Sequence, residues 1–309
     1  MRFGGHETFH LRPGWLTKGM RQVASAAERP SAANFADPEV ADDMGVGRNM
    51  ARSIGFWLRT AGLVERPARG EPPRLSTLGQ LLYRHDHYLQ HPVSWWILHL
   101  ELISREDALA AWRWFFADNG ATDRFDRLAC QEALSRYAER TAAKMPSPKT
   151  LERDVACLLG SYARPLPAEI ADPEDATDCP LRALGLLVYH RDRGRYERRV
   201  QRRKVAPEVL ALALCRMEGM SEEAAPPPDG ESLAQVPFSS ALSAAGSPAR
   251  TLGLDLPGLD EALDEAQEAL GAESLRRETL AGEQTILVRR RTASSWVEGY
   301  FHRTGGEAQ

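Results

Sequence analysis

Between Pro38 and Leu82 the chain carries a helix, a glycine-broken turn, a second helix and a hairpin pattern, and few folds accept that succession. Val40, Ala41 and Met44 make one short apolar face. Gly45-Val46-Gly47 breaks it, leaving Val46 to pack inside the turn. Met50, Ile54, Trp57 and Leu58 resume at helical spacing from Asn49 to Ala61, and Gly62 stands where a C-cap would. Leu63-Val64-Glu65 and Arg74-Leu75-Ser76 read as short strands around a polar tip from Arg66 to Pro73, and Thr77 to Leu82 opens another helix. The order is that of a winged helix-turn-helix. The expected fold class is mainly α with small β-hairpins: an N-terminal winged helix-turn-helix plus a C-terminal helical domain.

Before this segment, Met1 to Gly19 mixes aromatics and glycines without a sustained period, so it reads as an ordered arm leading into a helix from about Trp15 to Ala27. After it, helical patterns cover Pro92 to Ile103, Arg105 to Ala117, Arg124 to Ala142 and Pro148 to Ala163, the last with Ser147 as N-cap. A second set covers Leu181 to Val188, Pro207 to Glu218, Ser232 to Leu242 and Leu259 to Leu270. Arg193 to Val205 reads as a basic hairpin and Glu283 to Arg290 as a final strand. The expected boundary separates residues 1–145, with arm, winged helix-turn-helix and helical extension, from residues 146–309, mostly helical with the basic hairpin.

Charge narrows the partners only when its distribution is considered. The net value is −4, yet Arg191 to Lys204 reads RDRGRYERRVQRRK, while acidic residues concentrate from Asp255 to Glu273. A local basic patch can bind phosphates on a protein of negative total charge. The most apolar stretch, Val93 to Ile103, is too short to span a bilayer and is interrupted by His99 and Glu101, so no membrane role is expected. The N-terminus lacks the apolar core of a signal peptide, and the expected location is cytoplasmic. The four cysteines, Cys130, Cys157, Cys179 and Cys215, form no CxxC pair, which argues against a cysteine-only zinc site and a disulfide framework.

In a helix-turn-helix the first turns of the second helix face the bases. Here they offer Arg48, Asn49, Arg52 and Ser53. Arginine can contact guanine edges or phosphates and asparagine adenine. The expected DNA-contacting set adds Arg12 and Lys18 near the arm, Arg69 and Arg74 in the wing, and Arg199, Arg202 and Arg203 in the basic run. The alternative is that the motif serves protein–protein contact and its arginines are simply solvated.

His6-Glu7-Thr8-Phe9-His10 matches the HExxH pattern of zinc peptidases, but that chemistry needs both histidines on one helical face. Preceding glycines and the following Pro13-Gly14 exclude a long helix, and hydrogen bonds holding the arm are the preferred reading. Glu152, Asp154, Glu174, Asp175 and Asp178 are grouped acids that suit either a cation site or an ordinary surface. No phosphate loop, Rossmann glycine pattern or GxSxG elbow occurs, so no nucleotide or organic cofactor is expected. Trp95, Trp96, Trp112, Trp114, Phe115 and Phe116 read as core.

Several runs together resemble a bacterial family known as a domain of unknown function. They are Gly5-His6-Glu7-Thr8-Phe9, Leu11-Arg12, Gly14-Trp15-Leu16, Lys18-Gly19, Met44 to Met50, Ser53-Ile54, Trp57 and Thr77-Leu78-Gly79. Arg153-Asp154-Val155, Tyr162-Ala163, Glu174-Asp175, Cys179-Pro180-Leu181 and Leu184-Gly185-Leu186 extend the resemblance, which weakens after about Arg199. Members of the family, the B protein of the Ssp system among them, accompany DNA phosphorothioation genes. The resemblance implies a DNA-nicking component of a phage-defence system, working with a cysteine desulfurase, an ATPase and a sulfur-transfer enzyme on double-stranded DNA. It does not supply the catalytic residues. His6, Glu7, Asp154, Glu174 and Asp175 are the first place to seek them, with Mg2+ or Mn2+ as the expected cation. A non-catalytic adaptor or transcriptional regulator is the alternative, and a homodimer suits either.

Overall fold

The computed structural model describes residues 2–26, 34–65, 71–105, 108–118, 123–167, 178–217, 232–280 and 282–305. They form a mainly α-helical structure with two small sheets. Three helices open it: α1 (Trp15–Ser25), α2 (Pro38–Asp43) and α3 (Arg48–Thr60). The expected glycine break lies between α2 and α3, and Gly45 adopts φ 63°, a conformation that spares a side chain its clash. Beyond α3, Val64 pairs antiparallel with Leu75, and Glu65 N–H donates to the Arg74 carbonyl at 3.0 Å. The returning chain enters α4 (Thr77–His85), whose Ser76 cap accepts from Gly79 N–H at 3.0 Å. Gly79 is required there, because a Cβ would lie 2.1 Å from the Leu63 carbonyl oxygen.

The next helices are α5 (Pro92–Ser104), α6 (Ala110–Phe116), α7 (Arg127–Thr141) and α8 (Pro148–Tyr162), with the short strand β1 (Arg124–Phe125) before α7. β2 (Ala163–Leu166) follows α8 directly, and β3 (Leu187–His190) and β4 (Arg195–Arg198) complete a sheet of order β1-β4-β3-β2 in which only β2 and β3 run parallel. Then come α9 (Pro207–Met217), β5 (Leu233–Pro237), α10 (Phe238–Ser243), α11 (Pro248–Thr251) and α12 (Leu256–Leu270). β6 (Leu275–Leu280), β7 (Glu283–Arg289) and α13 (Ala293–Gly305) end the chain, β7 lying between β5 and β6 in an antiparallel sheet.

Several segments differ from the sequence-based expectation: Arg124-Phe125, expected in a helix, is β1, the helix expected from Arg105 begins at Ala110, and β6 and α13 were not expected. Leu181 to Val188 divides into a 3-10 turn (Pro180–Leu184) and β3, and Ser232 to Leu242 into β5 and α10. A short apolar run has no period long enough to separate strand from buried helix. The basic hairpin is β3 and β4, so it begins before Arg193, and residues 199–206 run on without regular structure. Both sheets draw most of their strands from the C-terminal half, which is therefore less purely helical than its pattern suggests.

The core sits around α5 and α9. Both helices are apolar on nearly every side, as helices enclosed by others must be. α13 packs against α4, α5 and α9, bringing the last described helix back to α4 and α5. The expected boundary at 145/146 falls in the link between α7 and α8, which pack on each other, and one buried core runs from Leu11 to Val297 across it. Buried charges bind this core internally. Glu101 of α5 meets Arg216 of α9 and Arg105 at 3.6 Å, and Glu208 of α9 takes two bonds from Arg303 of α13 at 2.9 and 3.0 Å.

His99, fully buried on α5, joins three elements. Its Nε2–H donates to the Thr251 carbonyl at 2.9 Å, leaving Nδ1 to accept from the Tyr162 hydroxyl at 2.8 Å. Burial pushes the imidazole down to about 4 from the usual 6.5. The stability contributed by the neutral ring is complete above the unfolded-chain value and is lost as pH falls from there towards 4. Denaturant titration at about pH 7.5 and about pH 4.5 is expected to show a loss larger by about 2–3 kcal/mol in the wild type than in His99→Gln. Equal losses would show that His99 is not the group protonated.

Candidate nucleic-acid interface and the buried arm

The N-terminal arm is anchored at both ends. Arg2 pairs with the chain before α6, its N–H donating to the Ala108 carbonyl at 3.1 Å and its own carbonyl accepting from Ala110 N–H at 2.9 Å. Gly4 N–H then donates to both carboxylate oxygens of Asp154 on α8, at 3.1 and 3.0 Å. His6 Nε2–H donates to Asp154 Oδ1 at 2.9 Å, and both side chains are about 2–3% exposed. The tautomer follows from the other nitrogen, since Nδ1 accepts from Thr8 N–H at 3.1 Å.

Gly5 passes this point at φ 97°, where a Cβ would come within 2.7 Å of the Phe56 ring. Glu7 and Thr8 follow in left-handed conformations, φ 50° and 68°. The HExxH residues thus form a tight turn, closed by Phe9 N–H on the His6 carbonyl at 2.9 Å, and not a helix. From α3, Ser53 Oγ donates to the His6 carbonyl at 3.0 Å and Trp57 Nε1 to the Phe9 carbonyl at 3.3 Å. Cys157 of α8 donates to the same Phe9 carbonyl at 3.3 Å. The arm is therefore the layer joining α3 to α8.

That burial orients α3. Its inward side carries Ala51, Ser53, Ile54, Trp57 and Leu58, and its outward side presents Arg48, Asn49 and Arg52 to solvent. Lys18 of α1 donates its Nζ to the Met44 carbonyl at 3.0 Å, fixing the turn that sets the start of α3. Arg74 is exposed on the strand returning from the hairpin, and Arg69 lies outside the described residues. Asp42 and Asp43 are exposed on α2, so the turn displays both signs of charge.

The sequence profile of the family described as "Protein of unknown function (DUF4007)" matches residues 3–300. The chain belongs to the DUF4007 family. Two solved structures share its fold. A magnesium ion-bound SspB crystal structure aligns with TM-score 0.77 and 21% identity over 99% of this chain and 95% of that one. A second SspB crystal structure aligns with TM-score 0.78 and 21% identity over 97% of this chain and 88% of that one. A search of curated proteins by sequence found no match.

Within this DUF4007 fold the expected site residues separate into groups. Arg48, Asn49 and Arg52 share one exposed helical surface. Ser53 does not join them: it is fully buried and its hydroxyl serves the arm. Arg12 lies over the Phe9 and Trp15 rings, 5.6 Å from each centroid, so it packs the arm against α1. Arg203 is also a correction. Its guanidinium donates to the carbonyls of Leu184, Gly185, Arg199 and Gly253, and burial lowers its pKa below the usual arginine range. Arg199 pairs with Glu197 at 3.3 Å and Arg202 with Glu261 at 3.3 Å.

Of the five residues expected to cleave, His6 and Asp154 meet, but buried and bonded to each other and to the arm's backbone. Glu7 is exposed, and Glu174 and Asp175 lie outside the described residues. No group of three or more His, Cys, Asp or Glu side chains suited to a metal ion occurs among the described residues.

Asp154→Ala would strand the Gly4 and His6 donors in the core, with an expected loss of about 2–4 kcal/mol. Denaturant unfolding measures it, and a cycle with His6→Ala should give a coupling above about 1 kcal/mol. Additive effects would mean that the two side chains act independently.

Proposed function

We propose that this protein docks double-stranded DNA through a winged helix-turn-helix formed by α2, α3 and the Val64–Leu75 hairpin, as a component of a phosphorothioation and phage-defence system. The observation that carries the proposal is the exposed Arg48-Asn49-Arg52 surface at the start of α3, on a helix whose other side is clamped by the arm. Such a surface suits the major groove, with the amides at the start of α3 available to a phosphate. Arg74 is positioned on the hairpin to reach the adjacent backbone.

The system-level part rests on the sequence resemblance described above and on the shared SspB fold. Chemistry internal to the chain agrees with a division of labour. All four cysteines are buried, and burial pushes Cys130 and Cys179 up to about 12, so their thiols are poorly placed to carry sulfur. Sulfur handling falls to a desulfurase and a sulfur-transfer enzyme, with an ATPase as the further partner.

Strand opening by this chain is the finer proposal. The role of His6 and Asp154 as an internal clamp favours the second reading, a non-catalytic adaptor, for that pair of residues.

Arg48→Ala combined with Arg52→Ala is expected to weaken duplex binding at least tenfold at low salt and to lower the salt slope by about 2, without changing thermal stability. Unchanged affinity would remove groove docking by α3. Supercoiled plasmid incubated with Mg2+ or Mn2+ separates the two activities: open circles establish nicking, whereas binding with intact supercoils establishes the adaptor.

A further inference from the structure

A cavity of about 300 Å³ lies where α7, α8, the 3-10 turn and the four-stranded sheet meet, away from the α3 surface in sequence and in the elements that form it. Arg127 enters from the start of α7, Arg182 from the 3-10 turn and Arg191 from the end of β3. Gly160 contributes backbone to its wall, and Tyr189 and Tyr196 close one side. Among the described residues no carboxylate lines it.

The tyrosines belong to a row across the sheet. Phe125 of β1 is in register with Tyr196 of β4, and Tyr196 with Tyr189 of β3. Phe125 stacks on Tyr196 with centroids 5.6 Å apart and planes inclined by 15°, and Tyr189 and Tyr196 are 4.7 Å apart at 34°. Phe125 is buried, whereas both tyrosines are half-buried and have no hydroxyl hydrogen bond among the described residues. The row therefore ends in aromatic surface facing the cavity.

Arg182 and Arg127 are supported but not consumed. Arg182 Nε donates to the Gly160 carbonyl at 3.1 Å and its Nη1 to Asp178, which is 75% exposed. Arg127 meets Glu152 only at 3.9 Å, with both more than half exposed. Exposed ion pairs of this kind are weak and exchange readily for a better acceptor. A phosphate accepts from several guanidiniums at once, and an aromatic ring accepts a base of any identity on its face.

We infer that this cavity binds one nucleotide of a single DNA strand, its phosphate between Arg127, Arg182 and Arg191 and its base against Tyr189 and Tyr196. The volume, at the lower end for ligand cavities, suits one nucleotide and excludes a duplex. Only the identity of the polymer as DNA rests on the proposed function. The cavity would hold a strand separated from its partner while α3 holds the paired region.

The test is fluorescence anisotropy with a labelled oligothymidine and, separately, a labelled blunt duplex. Tyr189→Ala and Arg191→Ala are each expected to weaken oligothymidine binding about tenfold and to leave duplex binding within about twofold. Arg191→Ala should also lower the single-strand salt slope by about 0.7. Tyr189→Phe, which keeps the ring, should bind as wild type. Thymidine monophosphate should compete, and inorganic phosphate at equal concentration should not.

Unchanged oligothymidine affinity in the Tyr189→Ala, Arg191→Ala double variant overturns the inference, as does an equal loss on duplex. Equal competition by inorganic phosphate removes the nucleotide assignment. The Arg48→Ala, Arg52→Ala protein keeps the two proposals apart. If it retains full duplex affinity while the cavity variants lose the single strand, groove docking fails and the nucleotide site stands.

Discussion

Asp154 accepts from Gly4 N–H with both oxygens and from His6 Nε2–H at 2.9 Å, across roughly the first half of the chain. A carboxylate sealed from water is tolerable only when such donors are fixed in place. Here they are fixed by a stretch of backbone that takes left-handed conformations at Gly4, Gly5, Glu7 and Thr8. The same stretch accepts bonds from Ser53 and Trp57 of α3. Holding the arm therefore also sets the angle at which α3 leaves the core, and with it the direction of Arg48, Asn49 and Arg52.

Charge in this protein is sorted between interior and surface. Glu101 and Glu208 are neutralised inside by Arg216 and Arg303. Arg203, in the most basic run of the sequence, is spent on four backbone carbonyls and ties residues 184–185 to residue 253. Density of arginine along the chain is thus a poor guide to phosphate-binding surface. What matters is which guanidiniums remain solvated or meet weak partners, as at the start of α3 and around the tyrosines of the four-stranded sheet.

Legibility followed periodicity. α1, α3, α5, α8 and α12 were readable because each repeats its apolar residues long enough to show a face, with caps such as Ser147 marking the start. β3 and β5 were not, because a run of four or five residues is too short for its period to separate a strand from a buried helix. At the candidate interface, Arg48 and Arg52 stand one helical turn apart and so share a surface, as spacing requires. Ser53, one residue further, rotates into the core, and the reading that grouped it with them ignored that rotation. Tyr189 and Tyr196 escaped notice because a cross-strand pair has no signature in local sequence once its strands are misread.

By itself the sequence determined the local elements: the glycine break before α3, the non-helical course of His6 to His10, and the mainly helical composition. These depend on neighbours within a few residues, through backbone conformation and the spacing of apolar side chains. Only the tertiary structure decided that Asp154 closes on His6, that Arg203 is structural, that one core crosses the expected boundary, and that three distant arginines converge beside two tyrosines. The physical reason is that burial and pairing of charge are set by what other segments bring into contact, and those segments are tens to hundreds of residues away.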